Sequence, residues 1–134
     1  MLRRTRRTAL EVLEAAATIP VMLLILAAIV QLGMGVYAQQ AVQNAANYGA
    51  RMGSTNVACR SCEAVSAAWD QVSRTGVHSP SVTIEAPGGV VGSILRIRVS
   101  GQVPNLMGGI MGFFGQESGP IKVTADATFR AEGW

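Results

Sequence analysis

The side chains of this 134-residue chain that could carry chemistry are few and scattered. Cys59 and Cys62 stand in "CRSC", a spacing shared by disulfides, thiol-exchange centres and zinc sites. Zinc takes four ligands and His78 is the only histidine, so no metal set is predicted. Thioredoxin-type exchange calls for a strand–helix frame around the pair, and none is legible there. In an outward-facing domain the two cysteines predict a structural disulfide, with free thiols as the alternative. His78, in "TGVHSP", has no nucleophile or carboxylate patterned beside it and reads as a loop residue. Asp70, Glu85, Glu117, Asp126 and Glu132 lack the pairing that acid–base catalysis requires. The expectation is a protein that is not an enzyme, with no cofactor and no small-molecule substrate.

Two other carboxylates are oddly placed. Glu11 and Glu14 lie in "TALEVLEAAATIP", residues 8–20, at the mouth of an apolar run, where a charge entering a bilayer is costly. Residues 15–50 contain no charge, and residues 15–38 are the most apolar part. As a helix those 24 residues measure roughly 36 Å against a hydrocarbon layer of about 30 Å, so they are long enough to span with tilt. Four of the eleven basic residues (Arg3, Arg4, Arg6 and Arg7) directly precede the run. Such a cluster holds the N-terminus in the cytoplasm and sends the C-terminus outward. Beyond residue 9, seven basic and eight acidic residues remain. No basic stripe is left for phosphates, which excludes nucleic acid and leaves membrane lipid as the partner.

The N-terminus admits three fates. A secretory signal would be cut after "VYA", before Gln39, but the apolar run exceeds the usual h-region of about 7–15 residues; as a twin-arginine signal, "RRTAL" offers only its arginines. An uncleaved signal anchor would set the glutamates at the cytosolic interface, near a helix N-terminus that favours negative charge. The third fate is a cut on the cytoplasmic side. The stretch "RRTALEVLEAAATIPVMLLILAAIVQLGMGVYAQQAVQNAANYGAR" resembles the N-terminal region of TadE-like pseudopilins, from tight-adherence (Flp, type IVc) pilus systems. Glu14, Pro20, Gly35, Tyr37, "NAANYGAR" and Arg51 stand at matching positions, while Ala9 replaces the usual Gly and Ala15 the usual Phe.

The resemblance implies a chain cut by a prepilin peptidase between Ala9 and Leu10, which makes Glu14 the fifth mature residue. Counting from Glu11 instead would put the cut after Arg6. It further implies that Glu14 pairs with the N-terminal amine of a neighbouring subunit, each charge offsetting the other's desolvation. The partners implied are other pseudopilins and the inner-membrane assembly platform. The location implied is a single pass through the bacterial inner membrane, with incorporation into a surface pilus open. Two rivals from other classes are a signal-anchored extracytoplasmic binding domain with no pilus role, and a periplasmic thiol oxidoreductase.

The elements that must position these residues follow a pilin-like α+β plan: a long N-terminal helix on a small antiparallel sheet of about three strands, with one extra short helix. Residues 1–9 form a basic leader, 10–52 the long helix with its span at about 15–38, and 53–134 an extracytoplasmic head. Pro20 removes a helical hydrogen bond and predicts a kink. Gly33 and Gly35 permit close helix approach without forming GxxxG. Ala41, Val42, Ala45, Ala46 and Ala50 continue the helical period, and Gly53, Ser54 and Asn56 mark the end. Residues 62–76 read as the short helix, with Ala64, Val65, Ala68, Trp69 and Val72 on its apolar face. Residues 81–87, 92–104 and 121–132 alternate as strands. The loop "NLMGGIMGFFGQESG" (105–119) is apolar and too short to span. It is either a contact loop for a partner subunit or the membrane surface, or a short helix covering one edge of the head.

Overall fold

The computed structural model describes residues 2–56, 58–113, 115 and 119–132, with side chains described from Glu11 onward except at 110, 111 and 113. Its first element, α1 (Leu2–Thr55), is one unbroken helix of 54 residues, about 81 Å long at 1.5 Å per residue. The helix has two environments. Residues 11–26 are exposed throughout. Higher up, Ala38, Ala41, Val42, Ala45, Ala46 and Ala50 are buried, recurring at the three- and four-residue steps that keep one face of a helix on a core.

The other elements pack against that upper half. Helix α2 (Arg60–Ser73) descends antiparallel to α1 and buries Ala64, Ala68 and Val72. Strands β1 (His78–Pro87) and β2 (Ile94–Val103) follow, then the short helix α3 (Gly108–Phe113) and strand β3 (Ile121–Arg130). The sheet is an antiparallel meander in the order β1-β2-β3. Alternation holds on β2 and β3: Leu95, Ile97, Val99, Val123, Ala125 and Ala127 face the helices, while Arg96, Arg98, Asp126 and Thr128 face solvent. Val82 lies opposite Val99 and Ile84 opposite Ile97 on the inner face. The register slips between Ile84 and Ala86, and Glu85 there meets the outward arginines. The molecule is thus an α+β protein, a long helix on a three-stranded antiparallel sheet with a second helix beside it.

Several boundaries and faces differ from expectation, for physical reasons. Trp69 is 48% exposed rather than inward, because the two helices approach too closely for a large side chain between them. Gly49 and Gly53 set that distance. A Cβ on Gly49 would lie 2.6 Å from both the Ala64 carbonyl oxygen and the Ala68 Cβ, and one on Gly53 would lie 2.6 Å from the Arg60 carbonyl oxygen. Gly53 is therefore a contact residue inside the helix, which runs on to Thr55. Strand β1 begins at His78, so this histidine belongs to a strand rather than a loop. Phe129 is only partly buried and Ile121 is exposed, since each lies near an end of β3 where the helical cover thins.

Candidate assembly and membrane interface

The chain rises along α1 from the leader to the top of the head. Residues 2–10 continue the helix, so the backbone at Ala9 and Leu10 is helical, as it is at Arg3, Arg4, Arg6 and Arg7; the side chains of these six lie outside the described residues. Glu11 and Glu14 are exposed. The Thr18 hydroxyl donates to the backbone oxygen of Glu14 at 2.7 Å, so this hydroxyl is satisfied within the helix. Pro20 lacks the N–H that would reach the carbonyl of Ala16, yet α1 continues through it. Above it, Leu23, Leu24, Ile25, Leu26, Ile29 and Val30 are 42–63% exposed. A water-facing apolar surface of this kind marks a contact with lipid or protein.

At the head, Cys59 and Cys62 are joined as a disulfide, with Cα atoms 5.3 Å apart. The Cys59 sulfur also accepts from the backbone N of Cys62 at 3.3 Å, filling the N-cap role usually held by Ser, Thr, Asn or Asp. Asn56 Oδ1 accepts from the N–H groups of Ala58 and Cys59 at 2.9 and 3.2 Å. The pair therefore fastens the first turn of α2 at the end of the head farthest from the apolar half of α1. Nearby, the buried Arg60 donates to the carbonyls of Gly89 (3.2 Å) and Glu132 (3.1 Å), tying the β1–β2 loop to the chain after β3. Its Nε is buried with no hydrogen-bond partner among the described residues.

Three carboxylates of the head, Asp70, Glu85 and Asp126, are paired with arginines. On the outer sheet face, Arg98 bonds Asp126 through two contacts of 2.7 and 2.9 Å and lies 2.8 Å from Glu85. Arg96 lies 3.9 Å from Glu85 and donates to the Thr128 hydroxyl at 3.2 Å. The hydrogen bond from Arg98 holds the Asp126 carboxyl below the ordinary carboxylate range, and the Arg98 guanidinium is raised in turn by the same bond and by the charges of Asp126 and Glu85. Asp70 pairs with Arg74 at 2.8 Å. Glu132 is exposed, and Glu117 lies outside the described residues. His78 borders a hollow of about 180 Å³ at the base of the head, with Met34, Tyr37, Val77 and Pro104; among the described residues no carboxylate, cysteine or serine lines it. Among the described residues no group of His, Cys, Asp or Glu could hold a metal.

One residue escaped the sequence analysis. Gln31 is 8% exposed within the apolar half of α1. Its Oε1 accepts from the backbone N of Leu106 at 2.7 Å, and its Nε2 donates to the carbonyl of Pro104 at 3.3 Å. The available signal was a single amide interrupting "LLILAAIVQLGMGVYA".

The family model for TadE-like protein matches residues 12–51. Over that stretch the chain is similar to TadE-like proteins. Neither curated proteins nor solved structures gave a match. The TadE-like segment includes Glu14, Pro20, Gln31, Gly49 and Arg51 and ends four residues before α1 does. It thus takes in both the bare apolar half of the helix and the half packed on the head. The match associates the chain with the tight-adherence pilus apparatus, and the apolar helix is a candidate membrane anchor.

Proposed function

We propose that this chain is a minor pilin or pseudopilin, a structural component in the assembly of a tight-adherence pilus. The observation that carries the proposal is the TadE-like match over residues 12–51, lying on a helix whose lower half is bare and apolar and whose upper half carries a compact head. The Arg3–Arg4 and Arg6–Arg7 pairs keep the N-terminus in the cytoplasm, and the head stands on the far side of the inner membrane. A prepilin peptidase cuts between Ala9 and Leu10. Glu14 then becomes the fifth residue and pairs with the new amine of a neighbouring subunit, which fixes the stagger between helices more than it adds affinity. Its exposed position on α1 supports that role. Pro20, six residues further along α1, loosens the helix where the subunit is drawn out of the bilayer. The partners are the peptidase, the other pseudopilins and the assembly platform.

The test is mass spectrometry of the native N-terminus from membranes, with and without prepilin peptidase. The expected outcome is a peptidase-dependent chain that begins at Leu10. A chain beginning at Met1 in both strains would instead favour the signal anchor, and one beginning at Gln39 would mean a secreted head.

A further inference from the structure

The segment after β2 leaves the head at its base. We propose that residues 104–113 form a second membrane contact, dipping just inside the outer edge of the bilayer that α1 crosses, with Gln31 as the tether and lipid as the occupant of the apolar surface. The proposal rests on α1 spanning that bilayer.

Depth is the first observation. If the hydrocarbon layer begins at Ala15, about 20 helical residues fill its roughly 30 Å, which puts its outer edge near residue 35. Gln31 then sits about 6 Å inside that edge, and Pro104 and Leu106 are held at its level by the two hydrogen bonds of its amide. Polar satisfaction is the second. A side-chain amide in an apolar span and a non-helical backbone at the same depth are each costly unless paired. Here the two meet each other's need, and Gln31 is covered.

The surface the segment presents is the third observation. Between Arg98 and Glu117 the sequence carries no charge. Leu106 is 52% exposed, and among the described residues α3 packs on no other element. Continuity supplies the choice of occupant: the exposed apolar face of α1, with Val30 and Leu32 exposed beside Gln31, runs directly into this segment, so whatever solvates the span reaches Leu106. Tyr37, 60% exposed just above, stands where an aromatic belt would, and the exposed Lys122, at the base of β3, can reach headgroups as basic side chains do at interfaces.

The experiment uses the full chain in phosphatidylcholine–phosphatidylglycerol vesicles, with Cys59 and Cys62 left as their disulfide. Single nitroxide labels are placed through Leu24→Cys, Leu106→Cys and Thr128→Cys, and collision rates with oxygen and with an aqueous nickel chelate are compared. The Leu106 label should be protected from nickel about tenfold relative to the Thr128 label while staying open to oxygen, the partition of an apolar side chain. In the Gln31→Leu background that protection should fall. Nickel access at Leu106 equal to that at Thr128, with Leu24 protected, overturns the proposal and leaves the span intact. Protection from both reagents would mean burial against protein, such as a second copy, and also overturns it. An unchanged Leu106 in the Gln31→Leu background removes the tether and the proposal with it. A nickel-accessible Leu24 means the span itself is absent.

Discussion

Asp126 shows how an arginine ties up a carboxylate of the head. Its carboxyl is held below the ordinary value by the hydrogen bond from Arg98, so at low pH the unfolded chain binds this proton before the folded one does. The pair's contribution to stability is present above the unfolded carboxyl value of about 3.9 and is lost as pH falls through the lower folded value. Asp126→Asn should therefore lower melting near neutral pH only slightly, since the pair is exposed, and that same small difference from the parent chain should close as pH falls below about 4. Circular dichroism melts of the full chain in detergent across that range would decide it; an unaltered acid limb would contradict the assignment. Gly49 gives the opposite lesson. Alanine gains about 1 kcal/mol of helix propensity over glycine, but here the added methyl meets the backbone oxygen of Ala64 at 2.6 Å, and overpacking costs about 1–3 kcal/mol. Gly49→Ala should lower the melting temperature by several degrees, whereas Gly33→Ala, with nothing within 4 Å of the new atom, should not. Equal effects of the two would sink the packing argument.

Elements were legible where one local period decides them. β2 and β3 alternate because one sheet face meets the helices and the other meets water, and α1 announced its upper half by alanines at helical steps. Less visible was anything decided by a partner. The glycine pair Gly49 and Gly53 reads locally as a weakness and an ending; only the presence of Ala64 and Ala68 makes it a crossing. Cysteine is not an ordinary cap, so the sequence pattern starts α2 at Cys62 rather than Arg60, and Gln31 has no local signal of its role because its partners lie 73 and 75 residues away. The cap yields a prediction for α2 as a unit. Closing so short a loop as Cys59–Cys62 stabilises by about 2 kcal/mol on the chain-entropy model. A double serine variant loses this but keeps an oxygen at position 59 to accept from residue 62, whereas a double alanine variant loses the cap as well. The alanine pair should be less stable than the serine pair by about 1 kcal/mol, as read from denaturant midpoints. Identical midpoints would mean that the Cys59 contact with the Cys62 N–H contributes nothing.

The whole molecule is built on one long helix with two faces to its surroundings, a bare apolar half and a half packed on the head. Among the described residues ten of the seventeen buried hydrophobic core residues are alanines, which brings sheet and helices close to α1 and makes the head thin, while over residues 11–26 α1 carries on below as an exposed, largely apolar helix. Because the same helix runs unbroken through both halves, a force applied at its foot reaches the head along one continuous element, past the missing backbone donor of Pro20. The carboxylate at that foot is far from the head's core, so its loss should separate assembly from folding. Glu14→Gln keeps size and hydrogen bonding while removing the charge that would meet a neighbour's amine. It should leave membrane insertion and head melting unchanged, and should lower incorporation into cross-linked subunit assemblies by about tenfold, equivalent to about 1.4 kcal/mol per contact. Glu11→Gln, one mature position from the cut, should leave assembly within about twofold, less than 0.5 kcal/mol. The measurement is the ratio of cross-linked to monomeric chain in native membranes of each variant, with head melting as the control. A Glu14→Gln chain that assembles normally would remove the charge pair from the assembly mechanism and leave packing of the bare helix to hold the subunits in line.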